Sequence, residues 1–431
     1  MGSSTTTQRL LSPFAVLMYV YVGYISILYA NFHQFVYWDL MNLGTRIIGA
    51  LPGSRTVALY VLGGVVLTIG FLAGSLLADR ATGSRGRVGR TLVAGVAAIR
   101  GKLAGAWGSR SMSPGFALGV LGWLVSLGAN LAQIAVSGVS LADIATRWGQ
   151  SPMLVFFAGL QMFFVPLLVA TARTRNQRLL AGFAFVVGVL ALGLLGARNL
   201  PAKLVISTFL ATVLIARSRH IARVAIAFLV VLVLAMGIVG AFSKSEIYGA
   251  AASTGLLVAL TYSDSVGTIY TLDQLVRFTP PTGLYHGVLL KDSFLSLIPG
   301  VDAEYASYQI GRYLSGRSSF TIGDTVVERS VSLAPTLLGA PYADHGVLGV
   351  AGQMLLLGGL FGYMQRRSRY ARWLIPFLVL MASYVINGVN AGIYGPVALM
   401  AVGAAFLAAC IDWVLAPAFI ESESTIEGAT T

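Results

Sequence analysis

Val57-Ala58-Leu59-Tyr60-Val61-Leu62-Gly63-Gly64-Val65-Val66-Leu67-Thr68-Ile69-Gly70-Phe71-Leu72-Ala73-Gly74-Ser75-Leu76-Leu77-Ala78 runs without a charged side chain between Arg55 and Asp79-Arg80. About 20 apolar residues in a helix cross the hydrocarbon of a bilayer, so this stretch predicts a membrane span. Similar windows recur at Ser12 to Ala30, Phe116 to Gly138, Pro152 to Ala172, Leu179 to Ala197, Leu204 to Ala216, Ile221 to Phe242 and Gly346 to Met364. Leu204 to Ala216 is short and needs extension by its neighbours. Trp373 to Ala391 and Tyr394 to Leu415 complete the set as a hairpin turning around Asn390 to Gly395. The fold class expected is an all-α polytopic bundle of about ten spans, forming one integral membrane domain over residues 1–431.

Composition agrees. The 431 residues are 56% hydrophobic and 10% charged, with a mean hydropathy of +0.79. No single soluble core could bury so much apolar surface, so the bilayer is the first expected partner. The formal charge of +13 does not imply nucleic acid, because the basic residues form short collars between apolar runs rather than a solvated face. Fifty glycines suit close backbone approach between spans. The lone Cys410 lies in an apolar segment and excludes disulfides and Cys-based metal sites within the chain. Met1-Gly2-Ser3-Ser4-Thr5-Thr6 formally matches a myristoylation pattern, but this Ser/Thr-rich start reads as a plain polar tail. No cleavable signal precedes the first span, which is expected to stay.

Arginine and lysine in short loops are retained in the cytoplasm and so report orientation. Here they alternate: one set of loops carries 18, including Arg80 to Arg110, Arg173 to Arg178, Arg217 to Arg223 and Arg366 to Arg372. The opposite short loops carry five, namely Arg46, Arg55, Arg147, Arg198 and Lys203. The expected protein is a multi-pass protein of the cell's inner (plasma) membrane with both termini cytoplasmic. One connection differs. Residues 244–335 form a long extracytoplasmic loop that holds half of the acids, and chemistry is expected there. Its apolar start, Tyr248 to Tyr262, is too short to span and reads as a re-entrant or interfacial helix, and Pro280-Pro281-Thr282-Gly283 marks a turn.

Three constellations could carry chemistry. Arg198 and Lys203 sit at an outer hairpin tip with little polar padding, where a guanidinium offers a planar fork of donors for phosphate or pyrophosphate. The bland alternative is a snorkelling anchor. The long loop supplies Lys291-Asp292, Asp302, Glu304, Arg312, Arg317, Asp324 and Glu328-Arg329. Many of these are ordinary surface charges, but a basic subset facing a pyrophosphate would stabilise a leaving group. At Pro341-Tyr342-Ala343-Asp344-His345-Gly346 an acid and a histidine meet the membrane together, either as an acid/base pair or as a polar helix start with Asp at the positive end of the dipole. Asp302-x-Glu304 is a weak cation motif and no metal or cofactor is expected. There is no His-Glu-x-x-His, Gly-x-Ser-x-Gly or P-loop pattern, and Asp39 is the only acid of the first outer loop.

The last third resembles the O-antigen polymerase (Wzy-type, oligosaccharide repeat-unit polymerase) family. Ser293-Phe294-Leu295-Ser296-Leu297-Ile298-Pro299-Gly300 resembles that family's short helix ending in Ile-Pro. Pro335-Thr336-Leu337-Leu338-Gly339, followed by Tyr342, Gly346 and Gly349, resembles its return into the membrane, and Gly196-Ala197-Arg198 its Gly-x-Arg. The resemblance covers roughly Leu195 to Met364. Where members often show Gly-Glu-x-Tyr-x-Asn-Phe-Gly, this chain has Gly339-Ala340-Pro341-Tyr342-Ala343-Asp344-His345-Gly346, so the usual acid is absent and Asp344 or His345 is a substitute candidate.

The resemblance implies a metal-independent membrane glycosyltransferase of polysaccharide biosynthesis in the cell envelope. Its substrate would be polyprenyl-pyrophosphate-linked oligosaccharide, joined at the outer leaflet, with other polysaccharide-assembly proteins as further partners. Arg198, Arg329, Asp344 and His345 are then the catalytic candidates, and Lys203, Lys291, Arg312, Arg317 and Tyr342 the substrate-binding ones. A ligase handing a finished glycan to another acceptor would share this plan. A transporter or flippase of lipid-linked sugars would place ionisable groups in mid-span, where this chain has mainly Asn130, Gln133, Gln161 and Asn387. A non-catalytic scaffold would need none of the loop's Arg and His.

Overall fold

The computed structural model describes residues 10–32, 53–83, 113–137, 152–194, 199–215, 226, 265–296, 298, 301, 303–316, 320–322, 325–327 and 335–428. The expected span at Ile221 to Phe242 and the interfacial segment Tyr248 to Tyr262 lie outside the described residues.

Among the described residues nine apolar helices make the membrane body: α1 (Pro13–Phe32), α2 (Ser54–Gly83), α3 (Pro114–Ser137), α4 (Pro152–Thr171), α5 (Arg175–Leu194), α6 (Asn199–Ile215), α10 (Thr336–Arg367), α11 (Ile375–Ala391) and α12 (Pro396–Gly428). Six contain stretches long and apolar enough to cross a bilayer, and three shorter apolar stretches lie in α1, α4 and α6. The protein is therefore a polytopic helical membrane protein, as its hydropathy pattern predicts. The short sixth window is extended at its start by Asn199 to Lys203. Between the body's α6 and α10 come α7 (Ser265–Phe278), α8 (Val288–Leu295) and α9 (Ala306–Ser315). A two-stranded antiparallel ribbon also lies there, β1 (Phe320–Ile322) against β2 (Thr325–Val327). The sequence reading anticipates short helices in this stretch but not the ribbon, because three-residue strands are too short to show a period.

Small residues set the packing. α2 and α10 run parallel, and a Cβ added at Gly74 would lie 1.9 Å from the Gly359 carbonyl oxygen. One at Gly358 would lie 2.1 Å from the Leu67 oxygen, and one at Gly362 2.0 Å from the Phe71 oxygen. Gly70-x-x-x-Gly74 thus faces Gly358-x-x-x-Gly362, the small-residue contact that replaces hydrophobic driving force inside lipid. α1 returns antiparallel on the same pair, with Phe14 stacked on Phe71 at 3.9 Å and the Tyr21 hydroxyl donating to the Tyr60 carbonyl at 2.8 Å. α3 and α4 pair antiparallel through Gly119 against Leu168 and Gly122 against Phe164.

The parallel α2–α10 pair brings two arginine collars to one end of the bundle. Asp79 pairs with Arg366 at 2.7 Å, and buried Arg367 is held by Asp412 of α12 at 2.6 Å, with the Tyr363 hydroxyl donating to the same carboxylate at 2.8 Å. Two collars that alternation assigns to one side are thus spatial neighbours. α7 to α9 and the first turns of α2 lie at the opposite end.

Candidate functional site

The site is built on a break in α10. Its residues Leu337 to Asp344 are buried and helical, but His345 (φ −134°, ψ 17°) and Gly346 (φ 62°, ψ −144°) are not helical. Helical geometry resumes at Val347 and runs to the arginine end. Gly346 is obligatory, because its positive φ suits no side chain and a Cβ there would lie 1.6 Å from the Pro281 oxygen. The sequence places the start of the crossing at Gly346, and the break agrees.

The broken end exposes backbone groups that a strap of residues satisfies. The predicted turn closes with Gly283 N–H donating to the Pro280 carbonyl at 2.9 Å. Leu284 and Tyr285 then donate to the Ala343 carbonyl at 2.7 and 3.1 Å, His286 to the Asp344 carbonyl at 2.8 Å, and Val347 to the Pro281 carbonyl at 3.2 Å. These bonds satisfy the Ala343 and Asp344 carbonyls and the Val347 N–H, which an uninterrupted helix would have used internally.

Asp344 does something its sequence position does not suggest. The expected polar helix start puts it on its own helix, whereas it lies at the end of the first half of α10 and serves α8. One carboxylate oxygen accepts from Leu289 N–H and the other from Leu290 N–H, both at 3.0 Å. A fully buried carboxylate thus sits on the positive end of α8, with charge-assisted bonds to two orphan donors. Both oxygens being engaged, Asp344 orients the strap and α8.

His345 projects from the break and is exposed, with Nε2 3.3 Å from where a Gly287 Cβ would be. His286, also exposed and at φ 48°, sits on the strap beside it. Lys291 is exposed on α8, and buried Tyr342 lies on the first half of α10, near enough to Arg55 to feel its charge. Arg312 is exposed and paired with Glu304, two residues before α9. Gln309 ties α9 to α8 through Asp292 at 2.7 Å, and Ser293 donates to the Tyr394 carbonyl at 2.8 Å. The structure therefore gathers Tyr342, Asp344, His345 and Lys291 at one place. Arg312 lies in the same layer but is engaged with its own carboxylate.

Lys203 stands apart in the membrane body. It is 93% buried, since its relative exposure is 7%, and its ammonium lies 4.4 Å above the Tyr384 ring centre. Arg198, Arg317 and Arg329 lie outside the described residues. Among the described residues no group of three or more His, Cys, Asp or Glu could hold a metal ion.

Four contributors escape the sequence reading. Asp273 of α7 is buried and accepts from Gly53 N–H at 2.8 Å and the Thr56 hydroxyl at 2.7 Å, capping α2 while pairing with Arg277 at 2.7 Å. Arg277 four residues on is a local signal, but nothing nearby in sequence names Gly53 as the partner. His286, Arg55 and Tyr384 also join only through folding.

A bundle of this kind, with a folded layer tied by buried carboxylates to one end, defines a multi-pass membrane protein with its polar apparatus outside the hydrocarbon. The O-antigen polymerase family model matches residues 14–400, nearly the whole chain, and this protein belongs to that family. It is thus a membrane protein of polysaccharide biosynthesis, in the class of glycan polymerases that work on lipid-linked oligosaccharide. The resemblance carried by Leu195 to Met364 extends through the N-terminal spans. No curated protein and no solved structure matches the chain.

Proposed function

We propose that this chain polymerises polyprenyl-pyrophosphate-linked oligosaccharide repeat units at the outer leaflet of the inner membrane, with both termini in the cytoplasm. One observation carries the reading. At the end of the bundle opposite the arginine collars, a layer locked by Asp344 presents exposed His345, His286 and Lys291. Helices α7 to α9 pack at this end of the bundle, and Arg lies densest where the cytoplasm is assigned.

In the reaction a hydroxyl oxygen of one lipid-linked unit bonds to the anomeric carbon of the growing glycan. The bond from that carbon to the pyrophosphate oxygen breaks, and polyprenyl pyrophosphate departs with the electron pair. His345 takes the hydroxyl proton, its imidazole being the exposed base at the break. Arg198, Lys203 and Arg329 stabilise charge on the leaving pyrophosphate. Lys291, Arg312, Arg317 and Tyr342 contact glycan or phosphate, and Asp344 is a positioning residue. Other assembly proteins meet this layer to deliver units.

Polymer length in cells carrying wild type, Arg198→Ala or His345→Ala, at matched protein abundance, tests the assignment. Single-unit glycans should accumulate in both variants. Wild-type length in either removes that residue from the mechanism, and loss of outward-facing lipid-linked units would instead make the protein a flippase.

A further inference from the structure

Lys203 has a cost that its surroundings do not offset. A buried ammonium in a membrane body normally faces a carboxylate, and among the described residues none pairs with it; its neighbour is the Tyr384 ring at 4.4 Å. A cation over an aromatic face recovers only part of the lost hydration. The ring is itself unusual. Tyr384 is 4% exposed on α11, and its hydroxyl is buried with no hydrogen-bond partner among the described residues. That hydroxyl lies 3.2 Å from where a Gly159 Cβ would be, so only a glycine on α4 lets it sit there. Three helices thus converge on one cation and one unused hydroxyl donor: α6 with Lys203, α11 with Tyr384, and α4 with Gly159.

We propose that Lys203 and Tyr384 form a two-donor subsite below the outer layer that takes the phosphate joined directly to the polyprenyl chain. The assignment rests on the polymerase reading. It adds that Tyr384 is a positioning residue for Lys203 through its ring and a phosphate donor through its hydroxyl. Depth selects the ligand: a phosphate tethered to an apolar chain can be drawn to this level, whereas a free sugar or inorganic phosphate would have to shed its whole hydration shell. The ring holds the ammonium in one place, so little side-chain freedom is lost when the anion arrives.

Purified protein in nanodiscs, titrated with farnesyl pyrophosphate and with farnesol, tests this. Wild type should prefer the pyrophosphate by at least about tenfold. Lys203→Gln should erase the preference, and Lys203→Arg should keep most of it. Tyr384→Leu, which removes ring and hydroxyl, should fall nearly as far as Lys203→Gln, and Tyr384→Phe should lose a few-fold. Cys410→Ser is the folded control expected to match wild type. An undiminished preference in Lys203→Gln, or in Tyr384→Leu at wild-type thermal stability, overturns the subsite, as does a wild type that binds both probes equally. Chain extension by the same nanodiscs is scored separately. Binding without extension would defeat the polymerase reading and leave the subsite standing.

Discussion

Gly346→Ala is the substitution that the break in α10 makes most damaging. The methyl carbon would sit 1.6 Å from the Pro281 oxygen and 2.4 Å from the Pro281 carbon, where real contacts stay beyond 3.0 Å. The strap must therefore move by more than an ångström, or Gly346 must leave φ 62°, ψ −144°. Holding alanine in that region costs about 1–3 kcal/mol. Displacing the strap weakens the Val347–Pro281 and His286–Asp344 bonds first, at roughly 0.5–1.5 kcal/mol each. The sum, about 2–6 kcal/mol, is local, because α10 beyond Val347 keeps its glycine contacts with α2. A midpoint of about 4 kcal/mol raises the opened fraction of the strap roughly a thousandfold. Hydrogen exchange of the Leu284 to Leu290 amides should accelerate accordingly in Gly346→Ala, with protein abundance near wild type and polymer length collapsed. Gly352→Ala, six residues on along the same helix with open space around it, should change none of these. Wild-type exchange at Leu289 and Leu290 in Gly346→Ala would refute the argument that the break holds the layer.

Two further outcomes follow from the membrane body. Arg367→Ala or Asp412→Ala alone should lower stability by about 3–5 kcal/mol, because each strands a buried charge, whereas the double variant Arg367→Met/Asp412→Leu should lose clearly less. Thermal unfolding in detergent checks this, and additive losses would mean that the pair is not coupled. In a Cys410→Ser background, Lys291→Cys should react with an impermeant thiol reagent from outside the cell and Tyr370→Cys only after the membrane is opened, since both positions are exposed at opposite ends of the bundle. The reverse pattern would invert the proposed orientation.

Sequence alone determined the membrane class, the apolar windows and the alternation of arginine collars. These follow from hydrocarbon thickness and from charge in short loops, which are local properties. It also placed the start of the last-third crossing at Gly346 and the Pro280-Pro281-Thr282-Gly283 turn, but that the helix begins at Thr336 and breaks at His345-Gly346 came from the structure. Only the tertiary structure decided what Asp344 does. A carboxylate finds a helix N-terminus through space, and α8 is chosen by the strap that crosses the break rather than by any spacing along the chain. The same holds for Asp273 reaching Gly53 and Thr56, for Gly74 meeting Gly359, and for the Tyr384 ring that Lys203, itself singled out by sequence, lies over. Charge patterns report which side of a membrane a residue is on, but the partner that sets its chemistry is fixed by packing between helices distant in sequence.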